Sequence, residues 1–145
     1  MWLGFCVLTI LFAAMAYDLR SQKIPLWLTV GGFFLVLVTL LLTIQASDWS
    51  EYFLSFGLGC LVFYFFWKFN LWGGGDAKLM MVAFLSVPLS QFWWCLMFVF
   101  IAGGLQAGGF MVYYYWFQQG QKITHLPYAV AIFGGYLVWF IQNTI

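Results

Sequence analysis

Four acidic side chains occur in these 145 residues, and two of them, Asp18 and Asp76, stand beside long apolar runs. An ionised carboxylate next to hydrocarbon is costly, so such an acid is a functional candidate whose partner has to be named. Two carboxyls brought together in a low-dielectric site cannot both ionise easily, and one keeps a proton. That asymmetry suits peptide hydrolysis: one carboxylate takes a proton from water while the other, still protonated, polarises the carbonyl. The sequence leaves open which Asp is the base, because such a pair titrates as a unit. Gly73, Gly74 and Gly75 directly precede Asp76. They allow positive φ and close approach of a substrate strand or a neighbouring helix. The competing structural roles are an N-cap of the next helix for Asp76 and a solvated helix end, balanced by Arg20, for Asp18.

The composition says where such a pair would work. Hydrophobic residues make up 66% of the chain and charged residues only 6%, against roughly a quarter charged in soluble domains. A water-soluble fold is excluded, and a net charge of +1 offers no field for nucleic acid. Cys6, Cys60 and Cys95 lie far apart in apolar stretches, without a C-x-x-C pair or a nearby His. They read as buried apolar residues; no metal or other cofactor is expected.

The expected fold is all-α: an integral membrane protein of six transmembrane helices, one polytopic domain over residues 1–145. The expected spans are about Trp2 to Tyr17, Leu26 to Ile44, Tyr52 to Trp67, a short one near Ala77 to Val87, a long one near Gln91 to Phe117, and Leu126 to Ile141. Residues 1–17 are expected to be a retained helix rather than a cleaved signal, since Arg20 and Lys23 follow the apolar run instead of preceding it. The break between the fourth and fifth helices falls at Pro88-Leu-Ser-Gln91, and Pro25 and Pro127 open the second and sixth. The fourth helix is too short to cross unaided, so protein shields it or it reaches only part of the bilayer. With six spans, Arg20, Lys23, Lys68, Lys78 and Lys122 share one face, opposite Asp48 and Glu51. Positive residues mark the cytoplasmic side, which places both termini outside. Two crossings separate Asp18 from Asp76, and an even number returns the chain to the same, cytoplasmic edge.

Asp18 with Ile24-Pro25, the segment Gly73-Gly-Gly-Asp-Ala-Lys-Leu79, and Leu126-Pro127-Tyr128 together resemble the prepilin peptidases and their preflagellin relatives, the GxGD-type aspartyl proteases. The motifs are similar to D-x5-I-P-N, G-x-G-D-x-K-L and a Pro-Tyr-Gly segment, and the second matches fully. Leu26 and Ala129 stand where the family usually has Asn and Gly. The resemblance implies a GxGD-protease-like bundle that removes the leader peptide of prepilin-like precursors at the cytoplasmic face of the bacterial inner membrane, in pilus biogenesis. It implies that Asp18 and Asp76 are the catalytic pair. Larger members carry a cytoplasmic portion, often with paired C-x-x-C zinc ligands, and methylate the new amino terminus. This chain is similar to the short form without that portion, so peptidase activity without methylation is expected.

Other residues carry weaker expectations. Gly73, Gly74, Gly75 and Pro127 would shape the site, Lys78 would hold substrate or tune the acids unless it merely snorkels, and Lys23 is chiefly a topology determinant. His125 reads as a solvated loop residue. In the fifth helix Gly103, Gly104, Ala107, Gly108 and Gly109 form a small-residue face, expected to pack within the protein, with a homo-oligomer as the alternative. Gln106 is expected to hydrogen-bond to a neighbouring helix. Trp93-Trp94 and Tyr113-Tyr-Tyr-Trp116 read as interfacial belts facing lipid. The rival functional class is a small ion or proton-coupled channel or transporter using intramembrane Asp residues, and a noncatalytic membrane scaffold is a third.

Overall fold

A computed structural model describes residues 1–21, 23–70, 72–117 and 127–144. Lys122, His125 and Leu126, with the loop expected around them, lie outside the described residues. Within them the chain is helical, with no strand: α1 (Trp2–Ser21), α2 (Leu26–Thr43), α3 (Trp49–Lys68), α4 (Gly74–Phe84), α5 (Phe92–Phe117) and α6 (Tyr128–Gln142). Short 3-10 turns at Ala46–Asp48 and Leu89–Gln91 lead into α3 and α5. Four segments are long and apolar enough to cross a bilayer: Trp2–Ser21, Leu26–Thr43, Ala46–Lys68 and Leu89–Tyr113. The protein is a multi-pass membrane protein. At ~16 Å, α4 covers about half of a hydrocarbon core, and α6 at ~22 Å falls short of a full one.

α4 is the axis of the bundle. It contacts α1, α2, α3 and α6, while α5 packs chiefly along the outside of α6. Ala77, Leu79, Met80, Val82, Ala83 and Phe84 of α4 are all buried, and the chain stays buried through Leu85, Ser86 and Val87. Protein therefore shields the short helix, as its length required. Ending a helix inside the bundle leaves carbonyls that lipid cannot satisfy. Ser55 of α3 donates to Phe84 O at 3.4 Å, Ser86 donates to Ala83 O at 2.6 Å, and the Ser86 hydroxyl meets Tyr136 OH at 2.7 Å. These hydroxyls are why a helix can stop there.

The small-residue face of α5 does not pack as expected. Only Gly103 approaches α6, where an added Cβ would lie 3.8 Å from Ala131 Cβ; Gly104, Gly108 and Gly109 have no described atom within 4 Å. The close α5–α6 contact is made instead by Gly135, where a Cβ would overlap the backbone of Val99. α5 is apolar on every side, so its sequence gives no direction to its packing. The aromatic expectation fares better: Trp93, Trp94, Tyr113, Tyr115 and Trp116 are exposed near the two ends of α5.

Candidate active site

Three chain segments converge on the carboxylates. The first is the last turn of α1, which extends past Tyr17 to Ser21 and so carries Asp18 inside the helix rather than just beyond it. Asp18 is 8% exposed. Its Oδ2 accepts a hydrogen bond from the backbone N–H of Ala129 at 3.2 Å.

That donor comes from the second segment, the start of α6. Pro127 holds the N-cap position, so Ala129 N–H is one of the first-turn donors that an α-helix leaves without an internal partner. A helix N-terminus is suited to an anion, and Asp18 supplies it. Gln106 of α5 fixes this turn by donating from Nε2 to Pro127 O at 2.9 Å, the cross-helix hydrogen bond expected of it. Gln106 Oε1 is buried and has no partner among the described residues. Ala in place of the family's usual Gly at 129 is compatible with this contact, because the donor is main chain.

The third segment is the turn from α3 into α4. α3 ends where Asn70 adopts a left-handed conformation, φ 54°, and Trp72 N–H returns to Phe66 O at 3.4 Å. Trp72 stacks on Phe63 with centroids 5.7 Å apart, and meets Phe66 edge-on at 5.2 Å and Phe100 of α5 at 5.7 Å. Such ring pairs contribute ~0.5–1.5 kcal/mol each beyond burial. They hold the glycine segment against α3 and α5.

The glycines act by absence of side chains, not by positive φ, which none of the three adopts. Gly73 is extended, at φ −64° and ψ 147°, and occupies the N-cap of α4. Asp76 therefore lies in the first helical turn and is not the cap. A Cβ on Gly73 would stand 2.8 Å from Asp76 Oδ2; one on Gly74 would lie 3.3 Å from Trp67 Nε1, and one on Gly75 3.4 Å from Ile24 Cβ. Each glycine thus abuts a different neighbour: the acid, the end of α3, and the α1–α2 connection.

Asp76 is half-buried. Burial first, and the charge of Asp18 second, push its carboxyl from 3.8 up to about 6. The two acids are close enough to feel each other, although 57 intervening residues separate them in the chain. Lys23 and Lys78 are both exposed, and neither is among the influences on Asp76. Leu26 is exposed at the first residue of α2. Cys95 is buried, Cys6 and Cys60 are partly buried, and all three are free thiols. Among the described residues, no three His, Cys, Asp or Glu side chains gather into a metal-binding group.

Two parts of this arrangement escape sequence reasoning. The Ala129 N–H is invisible in a residue type, and only the helix start signalled by Pro127 pointed to free donors there. Trp72 had no signal beyond its place beside the glycines.

No curated protein and no solved structure matches the chain. The sequence profile of the type IV leader peptidase family matches residues 5–112, which include Asp18 and the whole Gly73–Leu79 segment. The match covers most of the chain, from α1 through the greater part of α5, and the chain accordingly belongs to the type IV leader peptidase family and is a protease of the membrane.

Proposed function

We propose that the protein is an intramembrane aspartyl endopeptidase that removes the leader of prepilin-like precursors. Its site faces the cytoplasm, in a bacterial inner membrane, and it leaves the new amino terminus unmethylated. The observation that carries this reading is the pairing of Asp18 with Asp76, buried so that the second is pushed up to about 6 while the first is tied to a backbone N–H.

In this mechanism Asp76 carries the proton and Asp18 is the base. Asp18 takes a proton from water as the water oxygen bonds to the scissile carbonyl carbon. Asp76 gives its proton to the carbonyl oxygen, so a neutral gem-diol forms. Asp18 then returns its proton to the amide nitrogen, the C–N bond breaks, and Asp76 recovers a proton from the diol as the new carboxyl group forms. Water and the peptide are the only reactants.

The sidedness rests on charge. Arg20, Lys23, Lys68 and Lys78 flank the end of the bundle that bears the acids, while Asp48 and Glu51 lie at the α2–α3 connection. With α4 continued by the buried segment Leu85 to Val87 and α6 matched by local thinning of the bilayer, the chain makes six passes with both termini outside. Its three cysteines lie singly within helices, with no paired C-x-x-C, which favours peptidase activity without methyl transfer.

The test is co-expression with a pilin-like precursor, following leader removal by gel mobility. Asp18→Asn and Asp76→Asn each keep shape and remove a titrating proton, and each should abolish processing separately. Wild-type processing in either variant would sink the paired-acid mechanism.

A further inference from the structure

α5 is 26 residues long and holds one amide side chain, Gln106, and no charged residue. A polar group among apolar helices is costly to bury, so its presence there calls for a reason. Joining α5 to α6 is not that reason. Gly135 lies against the backbone of Val99 and Gly103 near Ala131, so close apolar packing already holds the two helices together. Satisfying a carbonyl is not the reason either. Pro127 O, which accepts from Gln106 Nε2 at 2.9 Å, also accepts from Val130 N–H of its own helix at 3.2 Å. Gln106 meanwhile leaves its Oε1 buried without a partner among the described residues. That adds a desolvation cost instead of removing one.

What this second hydrogen bond adds is direction. Apolar contacts are non-directional, and helices apolar on most sides have little in their packing to fix height and rotation. A hydrogen bond from one point of α5 to the N-cap residue of α6 fixes both. The bond from Val130 N–H closes the first turn of α6, so Pro127 and Ala129 move as one body. Ala129 N–H, in that turn, donates to Asp18 Oδ2 at 3.2 Å. The turn is thus gripped by α5 at Pro127 and itself grips α1 at Asp18.

We propose that Gln106 is a positioning residue for Asp18: from α5 it sets the first turn of α6, and thereby the Ala129 N–H that orients the Asp18 carboxylate for its work with Asp76. The proposal rests on the protease reading above and brings α5 into the support of the acid pair. Without the tether, Ala129 N–H is free to drift from Asp18. A carboxylate that loses an N–H donor takes up a proton more readily, so less of the base is ionised at a given pH. The ionisable groups at this end of α1 and of the elements packed on it are Tyr17 and Arg20 of α1, Lys23 before α2, Asp76 and Lys78 of α4, and Tyr128 of α6. Substituting Gln106 alters none of them, so a shift in the pH profile reports the N–H contact.

The test compares the purified wild-type chain with Gln106→Leu and Gln106→Met, which fill a similar volume without an amide, on one pilin-like precursor. Each variant should lose about tenfold or more in kcat, with KM changed by less than about twofold, because it misplaces a reacting group and leaves substrate binding alone. The melting temperature should stay at the wild-type value. The acidic limb of the kcat/KM profile should move to higher pH by about half a unit or more. Two substitutions keep the test decisive should one of them fail to accumulate. A wild-type kcat in the variants, or a lost rate with the acidic limb unmoved, would overturn the positioning role and leave the protease standing. A lowered melting temperature with the limb unmoved would do the same, since it marks a bond that only joins helices. Failure of wild type to cleave any such precursor would instead remove the protease reading, and the role of Gln106 with it.

Discussion

Asp76 keeps its proton to about pH 6 because burial withdraws water from it and because Asp18 opposes a second negative charge nearby. Raising the pH through that value ionises Asp76 and, in the proposed mechanism, removes the proton donor. The pH profile of kcat/KM, which reports the free enzyme, should therefore have a descending limb near pH 6, falling about tenfold per unit above it. In kcat the limb should lie higher, since bound substrate excludes more water. A flat profile between pH 5 and 8 would contradict this role for Asp76. Gly73 belongs to the same argument. With a Cβ only 2.8 Å from Asp76 Oδ2, Gly73→Ala must move the carboxylate, and a displacement of an ångström costs about 100-fold in rate. The loss should appear in kcat of the purified variant, with little change in thermal stability. Both acids were legible in the sequence because charge is conspicuous in an apolar chain. The role of the glycines was half legible: of the two things glycine allows, close approach is used and positive φ is not, the left-handed residue of this turn being Asn70.

The helices were legible to within a few residues, because hydrophobic runs broken at Pro25, Pro88 and Pro127 leave little choice of boundary. Their faces were not. A soluble helix reveals its buried side by amphipathicity, but a helix apolar all round does not. For that reason the glycines of α5 pointed to internal packing, whereas Gly135 of α6 makes the close contact. The two positions should behave oppositely in thermal melts in detergent. Gly135→Ala overlaps the backbone of Val99 and should destabilise by ~1–3 kcal/mol, the usual range for overpacking. Gly104→Ala meets open space and should leave the melting temperature unchanged or slightly raised. Equal effects at the two sites would refute the packing described for α5 and α6.

At the scale of the molecule, a half-length helix buried among α1, α2, α3 and α6 brings a residue from the middle of the chain to the end of the first helix. The charge pattern made this legible, since counting crossings already put Asp18 and Asp76 on one side; the α6 contribution through Ala129 required the fold. The same pattern predicts sidedness. In a chain with its native cysteines replaced, Ser47→Cys at the α2–α3 connection should react with an impermeant maleimide in intact spheroplasts. Ser21→Cys, at the end of α1, should react only after the membrane is opened; the reverse pattern would invert the topology. In the proposed mechanism the fold makes one acid–base unit from two distant residues, and units of this kind are grossly non-additive. The most direct measurement is the leader-cleavage rate of purified wild type, Asp18→Asn, Asp76→Asn and the double variant on one precursor. Each single variant should lose about 10³-fold or more, and the double variant should lose no more than the worse single. A single variant near the wild-type rate, or a double variant slower by the product of the two single losses, would contradict the account.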